Sequence, residues 1–284
     1  MKQLSIKFYL FALSLFNAYG SEITYDFLDR GATIESNKNV LAVGDKGKSR
    51  GAFQLSKNAC IDALNYTPTI DALRKTINTI KEKVHIKTVY WFSDCPFYSK
   101  LDVDCNIRWI KIPKFKRYTL EYNYITLKLM PHICTEKQNM IIHADGFAIN
   151  KDSWYNEFLD YDYIGAVWPN GQVGNGGFTI RSRKLYDAML DMDIYHQESF
   201  IRHTIIDNPD FYVFDGHGDK VIPEDNIICK LYRNELEFKY NINFAPPHIA
   251  DMFSIEHNMS SPWVGKSLGF HGKHGIAKHY GVNL

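Results

Sequence analysis

The apolar positions of this chain keep three different rhythms. Behind Thr67-Pro68, a cap residue followed by proline at a first helical position, Ile70, Leu73, Ile77 and Ile80 recur at helical spacing and predict a helix. Residues 86–92 then form a β-rich run that ends at Ser93-Asp94, and residues 106–112 alternate as a second strand does. Residues 119–134 predict another helix, with Leu120, Tyr124, Leu127 and Met130 on one face. Residues 139–144 are short and almost wholly apolar, as expected of a strand at the buried centre of a parallel sheet. Strand, helix, strand, helix, strand in this order predicts an α/β layered fold with right-handed crossovers.

In open α/β sheets, ligands sit at the carboxyl ends of the strands. Asp94 and Asp145 both occupy such ends, which puts two carboxylates on one rim. A carboxylate at Asp145 can hold a divalent cation or a ribose hydroxyl, or simply cap a turn. Gly174-Asn175-Gly176-Gly177 runs straight into Phe178-Thr179-Ile180-Arg181. Glycines there allow a close backbone approach or a positive φ, and a plain turn explains them as well. The cluster is not a G-x-G-x-x-G loop and no GKS/T follows, so a P-loop is excluded. Pro223-Glu224-Asp225 opens an apolar helix. Two acids at a helix start are stabilised by the helix dipole, and they can also offer a general base to a sugar hydroxyl. Late in the chain, Phe253-Ser254-Ile255-Glu256-His257 and Gly269-Phe270-His271-Gly272 add a carboxylate and histidines. Of these, His271 has the setting to reach a metal or a diphosphate.

Composition narrows the partners. In 284 residues, 45% apolar and 23% charged, a sizeable core is expected. Lys+Arg 33 against Asp+Glu 32 lacks the basic excess of a nucleic-acid binder. Five scattered cysteines carry no CxxC and no zinc spacing, and leave room for a Cys95–Cys105 bridge in an oxidising compartment or for free buried thiols. Lys2 and Lys7, the apolar run from Phe8 to Phe16 and Ala18-Tyr19-Gly20 read as a secretory leader over residues 1–20. A short anchor or a buried first element are its alternatives. The run is too short for a stable membrane span. The expected location is the secretory pathway, or the cytoplasm if the leader does not function.

The motifs together resemble a family of glycosyltransferase-like proteins of bacteria and fungi, classed as a domain of unknown function. The resemblance runs from about Cys60 to Gly272 and is carried by CIDALNYTPTIDAL, VYWFSD, HADGFAIN, the W…FLDYDYIGAVW stretch, VGNGGFTIRSRKL, PEDNIIC, FSIEH and GFHG. It implies a GT-A-like, Rossmann-like α/β fold with a mixed, mostly parallel sheet flanked by helices, in a domain of residues 57–284. It also implies a nucleotide-sugar donor and a carbohydrate acceptor. Asp94, Asp145 and Gly146 would bind the donor. Gly174, Asn175, Gly176, Gly177 and Arg181 would form the acceptor side, and Asp225 would be the base of an inverting displacement, with Glu224 beside it. Asp145 and His271 would hold Mn²⁺ or Mg²⁺. The second acid of the family's Asp-x-Asp is absent, because Phe147 occupies its place.

Residues 32–64 also resemble the opening of a lysozyme-like or lytic transglycosylase domain. There Glu35-Ser36 would supply the acid and Gly47 to Ser56 the cleft wall. The two resemblances conflict at residues 56–64, which one makes a helix and the other a first strand at ACIDA. The rival functions are therefore a secreted hydrolase using Glu35 and a non-catalytic sugar-binding module. The lysozyme-like stretch, residues 21–56, is too short to bury a core of its own.

Overall fold

The computed structural model describes residues 5–11, 43–44, 49–50, 67–97, 100–115, 118–195, 211–214, 217–272 and 275–282. Its main element is a six-stranded sheet. The strands are β1 (Ser5–Phe11), β4 (His85–Ser93), β5 (Asn106–Lys111), β6 (Gln138–Ile142), β8 (Tyr163–Ile164) and β9 (Phe178–Ser182), in the spatial order β5-β4-β1-β6-β9-β8. The first four run parallel, in the 3-2-1-4 order of a Rossmann-like half, and β9 alone runs against the rest. Helices flank this sheet. The expected α/β class, with a mixed and mostly parallel sheet flanked by helices, is what forms.

The sheet's centre explains its sequence. Every residue of β6 and β9 is buried, and so are the last six of β4, because both faces are covered. Polar residues are admitted there only with partners. Asn139 Nδ2 donates to the carbonyls of Glu136 (3.0 Å) and Arg181 (3.2 Å), and Gln138 Nε2 to that of Leu159 (2.7 Å). The edge strand β5 is largely exposed, hence its Arg108 and Lys111.

The helix predicted behind Thr67 is α1 (Thr67–Ile80), and Ile70, Leu73, Ile77 and Ile80 all face the core. The next predicted helix is broken into α2 (Tyr118–Asn123), a π-helical turn (Tyr124–Leu129) and α3 (Met130–Ile133). The wider turn shifts the phase of the buried stripe. Tyr122, Asn123, Ile125, Leu127 and Met130 go inside, while Tyr124, expected on the core face, is 48% exposed.

Two expectations concern the N-terminal region. Ser5–Phe11, within the run read as a leader, is β1, with Phe8 registered to Val89 on one side and to Met140 on the other. The first strand expected at ACIDA, residues 59–63, lies outside the described residues, as does Glu35. Of the lysozyme-like stretch only the short strands β2 (Val43–Gly44) and β3 (Ser49–Arg50) are described, paired antiparallel. Among the described residues no helix is long and apolar enough to cross a membrane.

Candidate functional site

A second, three-stranded sheet builds the site. Strand β6 turns at Ala144-Asp145 into β7 (Gly146–Ala148), closed by reciprocal backbone hydrogen bonds between His143 and Gly146 (3.0 and 3.2 Å). Strand β13 (Gly269–His271) pairs antiparallel with β7, which sets His271 opposite Gly146. Strand β12 (Ser254–Ile255) pairs parallel with β13, Ile255 beside Phe270, so Glu256 follows next to His271. Three sequence motifs far apart in the chain, HADG, FSIEH and GFHG, are thus three neighbouring strand ends.

Their side chains converge. One ligand atom each of His143, Asp145 and His271 lies within 4.8 Å of the other two. His271 Nε2 is 3.8 Å from Asp145 Oδ1, and its Nδ1 is 3.0 Å from Glu256 Oε1. Glu256 in turn meets the half-exposed His257 at 3.0 Å. Burial alone would raise the Glu256 carboxyl, but hydrogen bonds from His257 and His271 overcome it and hold the pKa down at about 2. Burial also opposes charge on His271, and Glu256 reverses this, so its pKa is raised. His143 is buried beside His271, and the two effects depress it to about 3. It is a neutral imidazole, with Nε2 hydrogen-bonded to the Tyr122 hydroxyl at 2.9 Å.

This arrangement can hold a cation. His143 and Asp145 both face His271, whose Nδ1 is engaged by the Glu256 carboxylate and whose Nε2 is turned to Asp145. A carboxylate behind a histidine is how metal-binding imidazoles are commonly oriented. Phe147, at the place of the missing acid, is in the core with its ring against Phe270 (4.9 Å). The group that could serve as a second ligand stands two residues before Asp145, at His143, which sequence reasoning missed. Side chains at i and i+2 of an extended segment share a face, so His-x-Asp at a strand end was the available signal.

The glycine cluster is buried and closes on this site rather than opening beside it. Asn175 is left-handed (φ 64°), with Oδ1 accepting from Gly177 N (3.1 Å) and Nδ2 2.8 Å from His271 Nδ1. A Cβ on Gly177 would stand 1.9 Å from His271 Nε2, and one on Gly176 1.8 Å from Glu224 Oε1. Glycine is required here so that the backbone can approach those two side chains. Gly174 packs on the Trp168 ring.

Arg181 and Glu224, expected on the acceptor side and beside the base, form a buried ion pair. Arg181 Nη2 is 3.0 Å from Glu224 Oε1, with side-chain exposures of 0% and 5%. The guanidinium also lies over the Tyr163 ring, 5.3 Å from its centroid. Asp225 is different. It stands at the start of α5 (Glu224–Asn226), half-buried, its Oδ1 accepting from Asn226 N at 2.8 Å. Burial first, and then the charge of Glu224, push its pKa up to about 7. Asp94 directly follows β4, and β1 lies between that strand and β6. It shares the rim but is not part of the cluster. A cleft of about 390 Å³, lined by Val173, Arg233, Glu237 and Phe244 among others, opens beside the glycine loop. The Arg233 guanidinium there is committed to Glu237 (2.9 Å) and to the Val173 carbonyl (3.2 Å).

Fold and site thus define an α/β protein with a His-Asp-His cluster and a backing carboxylate where a parallel strand turns into a second small sheet, and a perturbed aspartate at a helix start. The chain belongs to the family described as "Protein of unknown function (DUF5672)", which matches residues 113–271, more than half of its length. That match does not reach the lysozyme-like stretch. No curated protein matches the chain. Among solved structures it is similar to the apo-form glycosyltransferase GlyE of Streptococcus pneumoniae TIGR4, with 10% identity over 96% of this chain and 55% of that one and a TM-score of 0.41. It is also similar to HddC from Yersinia pseudotuberculosis, with 10% identity over 66% of this chain and 80% of that one and a TM-score of 0.29. The chain therefore spans about half the length of the first of these.

Proposed function

We propose that this protein is a glycosyltransferase, moving a sugar from a nucleotide-sugar donor to a hydroxyl of a carbohydrate acceptor with inversion. The observation that carries the reading is Asp225, a half-buried carboxylate with a pKa near 7, close enough to the His143–Asp145–His271 cluster for its charge to act on His271 and Glu256. A base is most effective when its pKa lies near the working pH. Asp225 takes the proton of the acceptor hydroxyl as that oxygen bonds to the anomeric carbon. The bond from that carbon to the donor's phosphate oxygen breaks, and the nucleoside diphosphate leaves with the electron pair. Glu224, beside Asp225, is paired with Arg181. Asp94 and the Asp145–Gly146 turn bind the donor, with Asp94 placed for a ribose hydroxyl.

His143, Asp145 and His271 would hold a divalent cation, whose charge balances the diphosphate when bound. Two imidazoles and one carboxylate suit Mn²⁺ better than Mg²⁺, which prefers oxygen ligands. Gly177→Ala pushes a methyl group into His271, and is expected to weaken Mn²⁺ binding by about 10- to 100-fold, read by titration of the metal's electron paramagnetic resonance signal.

A thermal-shift titration of the full chain with UDP-, GDP- and CMP-sugars, with and without Mn²⁺, tests the donor site. At about a hundredfold excess over Kd, one donor is expected to stabilise the fold by about 2.7 kcal/mol, and to do so only with Mn²⁺. A folded chain that no nucleotide stabilises under either condition would favour the hydrolase or the non-catalytic module.

A further inference from the structure

We propose that Tyr118 is the platform on which the acceptor's sugar ring packs, making it a specificity-determining residue beside the transfer centre. The assignment to an acceptor rests on the transfer reading above. Helix α2 follows the parallel strand β5 and therefore starts at the same rim as Asp145, and Tyr118 is its first residue. The Tyr118 ring stacks on Tyr122 with centroids 5.6 Å apart and planes 8° from parallel, which occupies one face and fixes its tilt. Phe115 meets the pair edge-on at 6.0 Å. Tyr122 is buried, and its hydroxyl bonds His143, so the stacked pair stands directly on the His-Asp-His cluster. One residue further, Asn123 Nδ2 donates to the Ile222 carbonyl at 2.7 Å, which ties α2 to the segment carrying Glu224 and Asp225.

Tyr118 nonetheless remains 39% exposed, although Tyr122, its partner in the stack, is buried. Its hydroxyl end is the covered part of the side chain: burial first, and then the charges of Glu224, Asp145 and Asp225, keep its proton on. A pyranose needs an apolar surface for its C–H face and fixed acceptors for its hydroxyls. An exposed, pre-tilted aromatic ring with the half-buried Asp225 carboxylate acting on its hydroxyl offers both. A nucleobase also stacks on tyrosine, but the hydroxyl that Asp225 deprotonates belongs to the acceptor, and the Asp225 charge acts on the Tyr118 hydroxyl. The ring therefore belongs to the acceptor.

Saturation-transfer NMR of the full chain with methyl glycosides of glucose, galactose, mannose and N-acetylglucosamine tests this without requiring turnover. At least one glycoside is expected to bind. Tyr118→Ala should weaken it about three- to tenfold, while Tyr118→Phe, which keeps the ring, should bind as the wild type does. Equal binding by Tyr118→Ala, or no glycoside contact by the folded wild-type chain, would overturn the proposal. So would a Tyr118→Ala chain that loses UDP, GDP or CMP rather than the glycoside, since the ring would then be a base platform. Tyr118-dependent glycoside binding in a chain that consumes no nucleotide sugar would uphold the platform and remove the transfer reading alone.

Discussion

Asp225→Asn is expected to slow sugar transfer by about 10²- to 10⁴-fold while donor binding persists. The substitution keeps the size of the side chain and its contact with Asn226 but removes the group that accepts the proton. Only the carboxylate form is a base, so wild-type kcat/KM should fall about tenfold per pH unit below the Asp225 pKa of about 7 and level off above it. Asp225→Asn should lose that limb along with the rate. Stability should move the other way. The folded pKa of about 7 stands above the ordinary 3.8, so the folded chain binds this proton more tightly than the unfolded chain does. The associated stability is fully present below pH ~4 and is lost as pH rises through ~7. Asparagine imitates the protonated form at every pH. At pH 8 the variant should therefore melt no lower than the wild type, which separates loss of chemistry from loss of fold. Unchanged turnover would remove Asp225 from the mechanism.

Arg181→Met should cost about 3–5 kcal/mol, a large fraction of the stability of an ordinary domain. The arginine and Glu224 are buried together, and removing one leaves the other's charge without its partner in a dry interior. Gly176 packs so closely on the Glu224 carboxylate that the loop leaves little room for rearrangement. If this account of the pair is right, the double variant Arg181→Met with Glu224→Leu should recover much of the loss, because a well-packed apolar pair can replace a buried ion pair. Urea midpoints of the two single variants and the double variant measure the coupling. Additive losses would mean that the two residues do not act as a pair.

The fold was legible where one periodicity governed a whole element. The helix behind Thr67 and the apolar strand before Asp145 each bury one continuous surface, so their patterns are unambiguous. The helix beginning near Tyr118 was legible in place but not in phase, because the π-helical turn at Tyr124–Leu129 rotates the stripe and no residue type announces such a turn. The candidate site was legible as motifs but not as roles. Asp145, His271 and Asp225 stood out as acids and a histidine at strand and helix ends. Glu224 and Arg181 looked equally chemical, and only three-dimensional packing pairs them across 43 residues of chain. His143 read as part of an apolar strand, because a buried neutral histidine carries no local pattern of its own. The glycines signalled a close backbone approach, a positive φ or a plain turn, and only packing shows that the approach is to His271 and Glu224.

The central claim is that the site from Asp145 to Asp225 transfers sugar from an activated donor. Its most direct test is to incubate the full chain with Mn²⁺ and each of a panel of UDP-, GDP- and CMP-sugars, together with mixed methyl glycosides, and to follow by mass spectrometry both nucleotide release and the mass of a new glycoside. The account predicts one donor consumed, a product heavier by that donor's sugar, and neither change with Asp225→Asn. A folded, Mn²⁺-binding chain that consumes no donor would contradict it.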